Sequence, residues 1–419
     1  MKKINIRSIT YSIDLNKIHN QDYINLIESN LKGIISEMDQ KEIFVRTIRF
    51  NVLKQTSKNT SDQFHFIRKI GLLSKVATDL GIRWFNISFD LTNETEKNII
   101  SICNIGYQIL NNFKNSFVNF IVTDNNQIDA KAALYCAKTV IKVSKLSFNG
   151  FDNFRLGVSL NPNEYTPFFP FSYASNDHCF SIATEISHTV EEVVSKYQES
   201  SFDEIRNKLI TKVGMQARNV DIVAKELSTK LDASYAGLDI SLAPYPDENV
   251  SVINILKLLG LEEIGANGSL FFTSFITDLL KEIIYVNQLK PAGFNGVMYS
   301  LLEDPKLCDA NNKKTLNIDS FILYSSLCGC GLDMVPVPGN ILEEELASII
   351  LDVSALSIKL NKPLGVRVLP IPNGSVNEYT KFDMDFLTNT RIMDIKNLGC
   401  INKVFETPSY NYYNNKRNH

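Results

Sequence analysis

Strand-like and helix-like segments alternate along almost the whole of this chain, and that alternation constrains its fold more than any other feature. Strands separated by helices build layered α/β architectures, because each helix lays its apolar stripe on the sheet that the flanking strands form. Ile4 to Leu15 reads as a strand, and Tyr23, Ile24, Ile27, Leu31, Ile34, Ile35 and Met38 mark a helix by spacings of three and four. Phe44 to Leu53 is the next strand. Ser61 and Asp62 are the expected caps of a helix running to Leu80, and Gly81 turns the chain into the strand Arg83 to Leu91. A helix from Glu96, a strand Phe117 to Thr123, a helix Ala130 to Val143 and a strand Phe154 to Leu160 continue the order, each strand rich in β-branched and aromatic residues.

The middle of the chain reads as mostly helical, with amphipathic periodicity over Ser181 to Gln198 and Phe202 to Leu231. The βα rhythm returns with a strand Tyr235 to Leu242, helices Val252 to Leu259 and Ser269 to Val286, and a strand Gly296 to Leu301. A helix Asp319 to Leu327, a strand Met334 to Val337, a helix Ile341 to Leu360 and a strand Leu364 to Pro370 complete it. Roughly nine or ten strands result. No proline-rich or serine-rich linker and no fixed-period repeat divides them, so residues 1–409 are expected to form one compact domain. Tyr410 to His419 is polar, without apolar periodicity, and is expected to fray.

Composition narrows the function classes. Hydrophobic residues are 44% of the 419, enough to bury a substantial core, which rules out disorder for most of the chain. The formal charge of −3, with scattered Lys and Arg, leaves no basic stripe for a phosphate backbone, so nucleic acid is not an expected partner. The N-terminus moves straight into a strand pattern without the apolar core of a signal peptide, and no apolar run is long enough to span a bilayer. Seven cysteines at irregular spacing, none in a CxxC pair, fit a reducing cytoplasm better than a disulfide framework or a zinc site.

In parallel α/β sheets, sites gather where strands end, because backbone groups and helix N-termini are free there. Asp90, Asp124, Asn161 with Glu164, Asp239 with Ser241, and Asp333 stand at expected strand ends. Each also fits the ordinary role of cap or turn former. Cys328-Gly329-Cys330-Gly331 is the most unusual local sequence; a nucleophilic thiol there needs a depressed pKa, whereas a buried structural cysteine needs nothing. The five histidines, His19, His65, His178, His188 and His419, form no metal-ligand spacing, so no metal site is expected. Gly265-Ala266-Asn267-Gly268 precedes a helix whose N-terminus is an expected anion site, but it matches neither nucleotide-binding glycine pattern.

Three stretches carry a family resemblance: Ile6-Arg7-Ser8-Ile9-Thr10, Leu238-Asp239-Ile240-Ser241-Leu242-Ala243-Pro244 with Pro246, and Cys328 followed by Gly331-Leu332-Asp333-Met334. Asn161, Glu164, Pro167, Phe168, Gly265, Gly268, Gly293, Gly296, Glu303-Asp304, Arg367 and Pro370 extend it over nearly the whole chain. The sequence resembles the uncharacterised bacterial and archaeal family known as domain of unknown function 711. That resemblance implies a single large ten-stranded α/β barrel similar to pyruvate formate-lyase and anaerobic ribonucleotide reductase. It does not imply their reaction, because the segment around Gly399-Cys400 has no Arg-Val-Ser-Gly-Tyr-like sequence to carry a glycyl radical. The chain departs from the family pattern at Tyr173-Ala174-Ser175 in place of Phe-His-Gly, at Gly265 to Gly268 in place of Gly-Thr-His-Gly, and at Asn86-Ile87 in place of Gly-Gly.

The expected function is a cytoplasmic enzyme acting on a small polar metabolite, an amino acid or carboxylate, inside the barrel. Glu164, Cys328 and Asp333 are the expected catalytic groups; Asn161, Asp239, Ser241, Gly265, Asn267 and Gly268 are the expected ligand-binding ones. Glu164 serves as a base only if burial raises its pKa. The alternative is a non-catalytic ligand-binding or regulatory protein that keeps the barrel, and a third reading is a structural subunit packing through Tyr410, Tyr412 and Tyr413. The sequence names no cofactor, and a homodimer is the ordinary expectation for such a protein.

Overall fold

A computed structural model describes residues 4–124, 127–245, 250–401, 403–406 and 409–411. Its strands are β1 (Asn5–Ile13), β2 (Ile48–Val52), β3 (Trp84–Asp90), β4 (Ser116–Asp124), β5 (Gln127–Ile128), β6 (Leu156–Leu160), β7 (Cys179–Glu185), β8 (Ser234–Asp239), β9 (Gly331–Pro338), β10 (Leu364–Ile371) and β11 (Tyr410–Asn411). They form one mixed sheet in the order β8-β7-β1-β2-β3-β4-β6-β10-β9, with β5 on β4 and β11 on β5. β1, β2, β3, β4 and β6 run parallel to one another. β7 with β8, and β10 with β9, are likewise parallel pairs, and each pair meets the five central strands antiparallel, at β1/β7 and at β6/β10.

Strand β7 corrects the sequence reading. A helix was expected from Ser181, yet Cys179–Glu185 is strand and the helix spans only Ser187–Lys196. Phe180, Ile182 and Thr184 alternate with Ser181 and Ala183, all buried, and a strand covered on both faces loses the polar–apolar contrast that distinguishes it from helix. The difference matters because β7 forms one of the two antiparallel seams of the sheet, with β1. Elsewhere helix starts were legible: Asp62 caps Gln63–Asp79 and accepts from the His65 amide at 3.0 Å.

The expected closed barrel is not what the regular ladder gives, since β8 and β9 are its ends. The segment expected as the strand Gly296 to Leu301 makes isolated bridges instead. Pro291 bridges Leu238 and Val297 bridges Leu242 on one side, and Ser300 bridges Asp333 on the other. The expected tail falls mainly on residues 412–419, which lie outside the described residues, while Tyr410–Asn411 pairs with β5.

Polar side chains line one face of the central strands. Ser8 and Thr10 both donate to the Pro167 carbonyl at 3.2 Å. Asn51, Asn86, Ser88, Asn119 and Ser159 join side chain to side chain across four strands, from Asn86–Asn51 at 3.2 Å to Ser159–Asn119 at 2.8 Å. The alternate residues, such as Ile9, Tyr11, Phe85, Ile87 and Phe120, belong to the apolar core shared with the helices. A connection between β6 and β7 crosses the polar face. Its Ser172 carbonyl accepts from Asn86 at 2.6 Å and from Ser88, and Phe171 packs on Gly157 and Gly365, where any Cβ would collide with the ring.

Candidate functional site

Two cavities open at opposite ends of this face. The smaller, about 70 Å³, gathers Arg7 from β1, Arg49 from β2, Asp333 from β9, Arg367 from β10 and Glu303 from the one-turn helix Leu301–Glu303. Trp84, Phe117, Phe154, Phe168, Phe169 and Phe171 wall it. Asp333 and Arg367 are almost fully buried and form a two-pronged pair, Nε to Oδ1 at 2.6 Å and a terminal nitrogen to Oδ2 at 2.9 Å. A bulge makes this possible: Arg367 faces Asp333 while Val368 faces Val335, so Met334 is the extra residue, at φ +56°. Glu303 stands 3.8 Å from Arg367. Burial raises the Asp333 carboxyl against the opposing pull of Arg367.

Among the described residues Arg7 and Arg49 have no such carboxylate partner at hydrogen-bonding distance, though the Glu303 charge acts on Arg49 from farther away. Arg7 donates to the Pro244 carbonyl at 2.9 Å and lies over the rings of Phe168 and Tyr245. Arg49 lies over Phe169, and its buried Nε has no hydrogen-bond partner among the described residues. Burial, with the Arg7 charge second, lowers the Arg49 guanidinium to about 9. A buried unpaired donor on a cation is costly, so this geometry suits a ligand that brings negative oxygen.

The larger cavity, about 650 Å³, holds two expected site residues, Glu164 and Cys328, together with Asp278, Lys281 and Lys362. Glu164 is exposed and accepts from Ser175 Oγ at 2.6 Å, so the burial on which its role as a base depended is absent. Cys328 and Cys330 are buried. Asn361 on the rim meets Asn161, itself at φ +48°, at 3.5 Å.

Asp239 and Ser241 line neither cavity but clamp its wall. Asp239 accepts from the amides of Ser241 at 2.8 Å, Phe294 at 2.7 Å and Asn295 at 3.3 Å, and from Ser241 Oγ at 2.6 Å. Its oxygens are thus occupied, and burial raises its carboxyl to about 6. Gly293, at φ +77°, is the only residue type that leaves room for Asp239 there. The turn Gly265, Asn267, Gly268 is exposed and away from both cavities; Ser269 Oγ accepts from the Gly265 amide at 3.1 Å and donates to the Ala266 carbonyl at 2.7 Å. His178 is held at 2.8 Å by the Tyr11 hydroxyl.

Of the expected catalytic groups, the structure brings Asp333 to the cationic cavity and Glu164 and Cys328 to the other. Sequence reasoning passed over Arg7, Arg49, Glu303 and Arg367 as site residues. Three of them stand in the stretches that carry the family resemblance, so that signal was present; Arg49 had none beyond a charge inside an apolar strand, Ile48–Val52.

Fold and site together define an α/β protein with a polar sheet face and a half-buried, aromatic-walled arginine cavity. The chain belongs to the family described as Uncharacterised ACR (DUF711), matched over residues 1–383. It is similar to UPF0210 proteins of Pyrobaculum aerophilum, at 30% identity over 54% of this chain and 51% of the relative, and of Oenococcus oeni, at 26% over 61% and 57%. A UPF0210 protein of Methanocaldococcus jannaschii is 27% identical over 54% of this chain and 50% of the relative. The matched stretch spans about half the length of these curated relatives. Among the described residues no helix is long and apolar enough to cross a membrane.

Proposed function

We propose that the chain is an enzyme for a small carboxylate, and that the ligand's carboxylate enters the arginine cavity. The observation that carries this reading is Arg49, a half-buried cation beside a second cation, Arg7, with a buried Nε that lacks an acceptor among the described residues. A carboxylate would accept from Arg49 and neutralise the repulsion between the two arginines, and the aromatic walls would keep water from weakening the attraction. The volume suits a planar carboxylate with one or two carbons better than a whole larger metabolite, so the rest of a longer ligand would extend past Phe168 and Tyr245 toward the surface. Asp333 is the acid–base group of this reading, oriented by Arg367. The barrel and its likeness to pyruvate formate-lyase belong to the same proposal, supported by the isolated bridges of Pro291, Val297 and Ser300, which lie where one more strand would close the nine-strand path from β8 to β9.

A thermal-shift screen against formate, glyoxylate, pyruvate and inorganic phosphate tests the ligand. At a hundredfold excess over the dissociation constant a ligand stabilises the native state by about 2.7 kcal/mol. A carboxylate response that disappears in Arg49→Gln supports the site, a phosphate response alone would redirect it to phosphorylated ligands, and no response would sink it. The second reading, a binder without turnover, is favoured by the complete pairing of Asp333 with Arg367. Asp333→Asn separates the two: an enzyme loses turnover and keeps affinity.

A further inference from the structure

Two acids stand side by side at the end of the one-turn helix, and the fold uses only one of them. Asp304 accepts from Ser251 Oγ at 2.6 Å and from the amides of Val252 at 2.9 Å, Lys306 at 3.0 Å and Leu307 at 3.2 Å, which caps the helix Pro305–Asn312 and pins the turn. Its neighbour Glu303 lines the arginine cavity. The Glu303 carboxylate accepts no hydrogen bond among the described residues; Arg367, at 3.8 Å, is too far to donate to it and already gives two prongs to Asp333. The two acids of the cavity therefore differ in availability. Asp333 has 2% of its side chain exposed and both oxygens taken by Arg367, whereas Glu303 keeps 16% exposed and its oxygens free.

Charge narrows what a free acceptor in this place can receive. Arg7, Arg49 and Arg367 against Asp333 and Glu303 leave the lining with one positive charge in excess. A ligand with a single carboxylate cancels it. A second carboxylate would overshoot and set like charges against Glu303, while an amino acid, carrying no net charge, leaves the excess in place and adds an ammonium to three guanidiniums. A neutral donor meets both demands, and a hydroxyl is the smallest; its bond to a carboxylate is charge-assisted and stronger than a neutral one. In a cavity of about 70 Å³ that hydroxyl falls on the carbon next to the ligand's carboxylate.

We propose that the ligand is a short 2-hydroxy acid, with its carboxylate at Arg49 and Arg7 and its hydroxyl donating to Glu303. This rests on the carboxylate reading above and adds the residue that sets specificity. Glu303 touches the ligand, and Asp304 fixes the turn that carries it.

The test uses three ligands with the same two carbons. Acetate, glycolate and glycine are titrated into the full chain at pH 7.5 by isothermal calorimetry. Glycolate is expected to bind about tenfold or more tighter than acetate, the worth of one hydrogen bond to a charged acceptor, and glycine more weakly than acetate. In Glu303→Met acetate affinity is expected to hold or rise, since a negative charge leaves the lining, while glycolate falls to the level of acetate. Glu303→Gln keeps the shape and one neutral oxygen, so the glycolate preference should shrink there whether or not Glu303→Met folds. Equal binding of acetate and glycolate by the wild type, tighter binding of glycine than of either, or a preference undiminished in Glu303→Gln would overturn the hydroxyl proposal and leave the carboxylate reading standing. Equal weakening of both acids in Glu303→Gln would make Glu303 a structural group and overturn it too. No binding of any of the three would sink the carboxylate reading and this proposal together.

Discussion

Replacing Arg49 by methionine should make the ligand-free protein more stable and unable to bind. Below pH 9 the guanidinium is charged in both the folded and unfolded chains, so at neutral pH the fold carries the whole penalty of holding that charge. Lowering the guanidinium from its ordinary value to about 9 corresponds to about 5 kcal/mol. Arg49 is not fully shielded from solvent, and the realised gain is expected to be smaller, about 1–3 kcal/mol. Methionine keeps an unbranched apolar stem and removes both the unpaired donor and the charge over the Phe169 ring. The assay is urea unfolding at pH 7.5, followed by the fluorescence of Trp84, the single tryptophan, which stands in the wall of this cavity. A variant less stable than the wild type by more than about 1 kcal/mol would refute the reasoning, because it would show Arg49 to be a satisfied structural cation. Raising the pH above 9 should stabilise the wild type relative to the variant, since only the unfolded chain still holds the Arg49 proton there.

Three further outcomes are expected. Arg367→Met leaves Asp333 as an unpaired buried carboxylate and should lower stability by about 3–5 kcal/mol, while the double variant Asp333→Leu/Arg367→Met should recover much of the loss in the urea midpoint. Gly293→Ala forces a Cβ into the Asp239 carboxylate at positive φ and should cost about 2 kcal/mol or more; a neutral result would show that the 293–295 turn is not clamped by Asp239. Asp239, raised to about 6, binds its proton more tightly folded than unfolded, so its contribution is full below pH 3.8 and is lost as pH rises through 6; Asp239→Asn should flatten that part of the stability profile measured by calorimetry.

The α/β class and most helix starts were legible because capping residues and threefold-to-fourfold spacing are local signals, as at Asp62 and over Tyr23 to Met38. The inward polar face was also written in the sequence, as Ser8, Thr10 and Ser12 alternate with Ile9, Tyr11 and Ile13. Alternation alone does not say that the polar side faces protein rather than solvent. Only pairing across Asn51, Asn86, Ser88 and Asn119 settles that. Strand β7 was lost because burial on both faces erased its period. Asp239 and Ser241 were legible as unusual but not as a clamp, since their partners at Phe294 and Asn295 lie more than fifty residues away. The arginine cavity depends on strands from both ends of the chain, and no local pattern links Arg7, Arg49 and Arg367.

In the proposed function Arg49 and Arg7 receive a carboxylate beside Trp84. A titration of the wild-type chain with pyruvate, read by Trp84 fluorescence, tests it most directly. The expected result is a saturable change that competing formate reverses and that is absent from Arg49→Gln and weakened in Arg7→Gln. An unchanged Trp84 signal, or a saturable change equally present in Arg49→Gln, would contradict it.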